Sequence, residues 1–149
     1  MKKIILLIVV FFTFFTAHAT HIMGGEITWV CIKDPLDPDV GKYIFTLKIY
    51  RDCAGAGTIV GATQTIEVWD GGVNPISTII LDFISASDIS PSCNTILSGN
   101  DSLDCASGDP GAVEEFIYIS QPKDLPGLPP ATGWHFTWDS CCRNGATTN

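Results

Sequence analysis

The chain has 149 residues, 46% of them hydrophobic and only 16% charged, with 16 acidic against 8 basic side chains and a formal net charge of −8. A balance this acidic argues against nucleic acid as a partner, because phosphates need a compensating basic patch. A chain of this size buries about two thirds of its unfolded surface, so one core is feasible and disulfides would reinforce loops rather than replace it.

Lys2 and Lys3, an apolar run over residues 4–15 and the small residues Ala17 and Ala19 form an export signal, with cleavage expected between Ala19 and Thr20. The run is roughly 12 residues, whereas a spanning helix takes about 20, so it reads as a leader rather than an anchor. The first cysteine is Cys31, which leaves the expected mature terminus without the thiol that a bacterial lipid anchor uses. Loss of Lys2 and Lys3 lowers the formal charge from −8 to −10. The organisation expected is a signal peptide over 1–19 and a single secreted domain over 20–149, extracellular or at the cell surface, with no membrane span once the signal is removed.

Residues 26–32 alternate Ile27, Trp29 and Cys31 against Glu26, Thr28 and Val30, the period of a strand. The run 34–39 breaks it with two prolines and three aspartates. Strand pattern resumes from Gly41, with Tyr43, Phe45, Leu47 and Ile49 on one face, so these two segments predict an antiparallel hairpin. Residues 51–57 are small and glycine-rich, suiting a bend that carries Cys53. Further strands are predicted over 63–69, with Ile66 and Val68 inward, and over 76–84. Residues 85–111 are polar, hold Cys93 and Cys105, and predict a long loop that a bridge would keep ordered. Residues 112–121 predict a strand with Ile117 and Ile119 on the core side. A proline-rich crossing over 122–131 leads to a last strand at 133–140 burying Trp134, Phe136 and Trp138. With no amphipathic helical stripe beyond the signal, the fold class is all-β: about six strands in a two-sheet antiparallel sandwich with long disulfide-stapled loops, an open or irregular barrel being the chief rival.

Few residues suggest chemistry. Asp34, Asp37 and Asp39, with the looser set Asp101, Asp104 and Asp109, read as turn aspartates; calcium is the alternative, since an acidic loop supplies hard oxygen ligands. Glu114 and Glu115 are adjacent and diverge in a strand, which makes them poor partners for paired-carboxylate catalysis. His21 and His135 lie far apart and share no zinc spacing with the cysteines. No catalytic, cofactor or metal residues are assigned. Six cysteines in an exported chain, Cys31, Cys53, Cys93, Cys105, Cys141 and Cys142, predict three disulfides among 15 possible pairings. A ring closed between Cys141 and Cys142 would be strained, so each should reach a distant partner. One connectivity has a local Cys93–Cys105 bridge and leaves Cys31 and Cys53 for the adjacent pair; in the other, Cys93 or Cys105 reaches Cys141 or Cys142. Trp134 and Trp138 read as an inward face, the alternative being a sugar platform of exposed rings. Trp29 and Trp69 are read as inward too.

The blocks His21-Ile22-Met23-Gly24-Gly25-Glu26-Ile27, Tyr50-Arg51-Asp52-Cys53, Thr63-Gln64-Thr65-Ile66-Glu67-Val68, Ile89-Ser90-Pro91, Gly111-Ala112-Val113-Glu114-Glu115-Phe116 and Trp138-Asp139-Ser140-Cys141-Cys142-Arg143-Asn144 resemble, in order and spacing, the amino-terminal region of large Bacteroidota surface proteins. Those proteins are labelled gliding-motility-associated or PKD-domain-containing. The resemblance implies a multidomain surface protein with immunoglobulin-like repeats and a sorting domain read by type IX secretion; it supplies no catalytic residues. This sequence stops at Asn149, directly after the last block, as a gene fragment or a released stand-alone copy would. The function expected is a non-catalytic structural or adhesive surface module meeting extracellular polysaccharide or protein. A carbohydrate-binding module is the alternative, and a secreted hydrolase a more distant one.

Overall fold

A computed structural model describes residues 22–55, 61–91 and 103–139. Six strands follow in chain order: β1 (Ile22–Cys31), β2 (Tyr43–Asp52), β3 (Thr63–Trp69), β4 (Ser77–Asp88), β5 (Val113–Ser120) and β6 (His135–Thr137). Among the described residues the fold is all-β, and every neighbouring pair of strands is antiparallel. The strands hydrogen-bond in one sheet of order β1-β2-β5-β4-β3-β6, where the sequence predicts two packed sheets. The sheet curls far enough for its edge strands to meet through side chains, since the rings of Trp29 on β1 and Phe136 on β6 lie 5.2 Å apart. Burial is therefore achieved by one strongly curved layer folding onto itself rather than by two layers stacking.

The first hairpin forms as its alternation predicts. β1 pairs with β2 from Cys31 opposite Tyr43 to Gly25 opposite Ile49. Its turn is closed by Gly41 at φ 87°, where a side chain would be strained. Phe45, Leu47 and Ile49 form the floor of the core, joined by Ile66 and Val68 of β3, Ile79 and Leu81 of β4, and Ile22.

On β5 the predicted parity is reversed. Phe116, Tyr118 and Ser120 point inward, while Ile117 and Ile119 are only partly buried on the other face. The register explains the reversal, because Phe116 lies opposite Ile49 and Tyr118 opposite Leu47, both core residues. Both faces of this strand are apolar, so alternation alone does not say which is inside. Aromatic rings bury more area than isoleucine side chains, and they take the core.

β4 is also longer than its composition suggests. It runs to Asp88 through Ser85, Ala86 and Ser87, which the sequence places in a loop. The ladder from β5 holds this polar stretch extended, with Ser85 opposite Ile117 and Ser87 opposite Glu115, beyond a bulge between Phe83 and Ser85. Pairing partners outweigh intrinsic strand preference here.

Of the tryptophans expected inside, Trp134 and Trp138 are half-buried against the core, together with Phe136 and Tyr43. Trp29 is not in the core: it is 52% exposed. Its parity is right, opposite the buried Phe45, but β1 is an edge strand whose far side has no neighbour in the sheet among the described residues.

Candidate functional site

The two sheet edges define a groove of about 490 Å³ lined by Gly25, Ile27 and Leu47 on one side and by Phe136, Thr137, Trp138 and Asp139 on the other. Its first wall exists because β1 lies close against β2. A Cβ on Gly25 would sit 2.7 Å from the carbonyl oxygen of Lys48, so only glycine permits this approach. Its second wall is set by β6, which pairs with β3 over three positions. The indole N–H of Trp69 donates to Oγ1 of Thr137 at 2.9 Å, and that of Trp138 donates to Oε1 of Gln64 at 3.0 Å. The Trp138 ring is thereby fixed to the β3 side of the groove, whereas Trp69, expected inside, lies on the outer face of β3, opposite in parity to the buried Ile66 and Val68.

Trp29 continues the first wall, two residues beyond Ile27 on the same face of β1. It is supported by Phe136 at 5.2 Å and Phe45 at 6.5 Å, and Phe45 packs on Phe136 at 4.9 Å. The result is a tilted aromatic stack with a buried base and a half-exposed outer ring. The sequence signal for this site is weak, because an inward-parity tryptophan on a strand looks the same whether the strand is central or at an edge.

The remaining candidate residues are used structurally. Asp34 accepts from the backbone N–H of Leu36 at 2.9 Å, Asp37 from that of Asp39 at 2.8 Å, and Asp39 from the Lys42 ammonium at 2.7 Å. Asp104 and Asp109 accept from backbone N–H groups in the turn that leads into β5, those of Ala106 and Asp104 respectively. Among the described residues no three His, Cys, Asp or Glu side chains converge as metal ligands. Glu114 and Glu115 diverge to the two faces. Glu114 pairs with Arg51, whose guanidinium lies 5.5 Å above the Phe116 ring. Glu115 meets Lys48 at 3.2 Å, and Glu26 reaches the same ammonium at 3.5 Å. The hydrogen bond that Lys48 donates to Glu115, and the charge of that carboxylate, raise the Lys48 pKa. His135 is exposed on the face opposite Phe136.

The cysteines correct one expectation. Cys105 is bonded to Cys53, with Cα atoms 5.0 Å apart, so there is no local Cys93–Cys105 bridge, Cys105 does not reach Cys141 or Cys142, and Cys53 is not held for the adjacent pair. The reason is the length of β4: by reaching Asp88 it carries the chain to the end of β2, where the Asp88 carboxylate accepts from the N–H of Cys105 at 2.8 Å. Beside it, the N–H of Cys53 donates to the carbonyl of Ala112 at 2.9 Å. Cys31 is partly buried and forms no disulfide with another described residue. Cys93, Cys141 and Cys142 lie outside the described residues, as do Asp101, His21 and the signal segment.

Among the described residues no helix is long and apolar enough to cross a membrane. Comparison with protein-family models, curated proteins and solved structures finds no match.

Proposed function

We propose that the chain is a non-catalytic module of the cell surface or extracellular space, structural or adhesive in role, exported by its amino-terminal signal and stiffened by disulfides in its long loops. The observation that carries this reading is the use made of its polar side chains. Lys48 and Arg51 are engaged by carboxylates along the sheet, Lys42 by Asp39 of the first turn, and Asp34 and Asp104 by turn backbone. That is the economy of a durable scaffold, with its free surface available for contact rather than for proton transfer or nucleophilic attack. The resemblance of the ordered blocks to those of Bacteroidota gliding-motility-type surface proteins supports the same setting, and the partners that fit it are extracellular polysaccharide or protein.

The test has two parts. Exported protein should begin at Thr20 by mass spectrometry, and a start at Met1 would defeat the export reading. Beads coated with the protein should be retained on cells or extracellular matrix under flow, in a manner blocked by free protein. Turnover of glycoside, ester or peptide substrates by the purified chain would overturn the non-catalytic reading.

A further inference from the structure

We infer that the seam between β1 and β6 is a carbohydrate-binding subsite in which Trp29 is the stacking platform, selective for neutral pyranosides with equatorial hydroxyls. The inference rests on the adhesive reading and narrows it to one ligand class. Three observations carry it. Trp29 is 52% exposed although its parity aims it inward, whereas Val30 and Ile80, also exposed on strands, lie on outward faces. It is also held from beneath by Phe136 and Phe45, so the orientation of its ring is set before any ligand arrives. Finally, the neighbouring groove of about 490 Å³ is lined by the apolar residues Ile27, Leu47 and Phe136 and by the polar residues Thr137 and Asp139.

A pyranose with equatorial hydroxyls has the matching chemistry. Its axial C–H face lies on an aromatic ring, drawn by the negative face of the π system and by removal of apolar surface from water. Its rim of hydroxyls needs acceptors, and the Asp139 carboxylate is a charged acceptor at the groove edge. The volume falls in the range of about 300–1,000 Å³ usual for small-ligand sites. Charge selects the class further: a chain of net charge −8 with a carboxylate in the groove repels uronate and sulfated polymers. A platform already fixed loses little side-chain entropy on binding.

The experiment is affinity electrophoresis of the full chain through gels containing soluble mixed-linkage β-glucan, xylan or alginate, with cello- and xylo-oligosaccharide titrations followed by tryptophan fluorescence. The expected result is retardation by a neutral polymer and none by alginate. Trp29→Ala should weaken the affinity about tenfold, Trp29→Phe should keep most of it, and Asp139→Asn should weaken it to a lesser degree. Leu128→Ser, far out in a turn, should bind as the parent does. Absence of binding to both neutral polymers, a preference for alginate, or unchanged binding in Trp29→Ala would overturn the inference. If Trp29→Ala does not fold, saturating oligosaccharide should still shield one indole of the parent from N-bromosuccinimide, and failure to shield counts against the site. Bead retention that persists without glycan binding would sink this subsite alone and leave the adhesive reading standing.

Discussion

Phe45 and Phe136 touch at 4.9 Å, yet the first is fully buried and the second is only partly so, and the sequence offers no means of separating them. Phe45→Ala removes a ring from the floor of the core and should cost about 3–5 kcal/mol, enough to unfold a marginal domain. Phe136→Ala should cost visibly less, since its cavity opens into the groove and can fill with water. Urea melts of the two variants measure the difference. Asp88 gives a second prediction. Its carboxylate accepts from the Ser90 hydroxyl, from the Cys105 N–H and from the Ser90 N–H, and these bonds lower its pKa below the ordinary 3.8, the Ser90 hydroxyl most. A carboxyl whose folded value is depressed contributes stability that is fully present above 3.8 and is lost as pH falls through the lower folded value. Asp88→Asn should therefore melt below the parent at neutral pH, with the gap closing in acid below the ordinary carboxylate range. A gap independent of pH would count against the assignment.

At the scale of the strand, legibility follows the contrast between faces. β2 was readable because Phe45, Leu47 and Ile49 alternate with Thr46 and Lys48, and β3 because Ile66 and Val68 alternate with Thr65 and Glu67. β5 was readable as a strand but not in its orientation, since Phe116, Ile117, Tyr118 and Ile119 are apolar without interruption and only the register with β2 decides. The far half of β4 was not readable, because what makes it a strand lies in β5. The groove was not readable either: whether β1 is an edge is a property of sheet order, not of its own residues. One detail of β5 is testable. The N–H of Phe45 donates to the buried hydroxyl of Ser120 at 3.0 Å, a side chain supplying a bond at the end of the β2–β5 ladder. Ser120→Ala should strand that donor and cost about 1–3 kcal/mol, whereas Ser120→Thr keeps the hydroxyl and should recover part of it. Equal loss in both variants would point to packing instead of the hydrogen bond.

For the molecule as a whole, the Cys53–Cys105 bridge closes a loop of 52 residues and ties the end of β2 to the turn that leads into β5. Loop-closure entropy puts its worth at about 4 kcal/mol, a value that residual structure in the unfolded chain reduces. The Cys53→Ser, Cys105→Ser double variant should lose on the order of 2–4 kcal/mol in denaturant. Protein treated with a reductant should lose a comparable amount, and little change would show that the ladder alone fixes the turn. Sheet order also governs how the chain can assemble. β1 with β2, and β3 with β4, are hairpins made from nearby residues, but they do not pair with each other; β5 lies between them and is bonded to both. As the chain is synthesised or threaded from its amino terminus, both hairpins can exist before residue 113 emerges, each with one long inner edge unpaired. Until β5 arrives those edges are equally available to the same edges on other molecules, so the interval before its insertion is the one in which folding and aggregation compete. β6 can add to the outer edge of β3 only later, so it is the arrival of the central strand that sets the rate at which the two hairpins become one sheet.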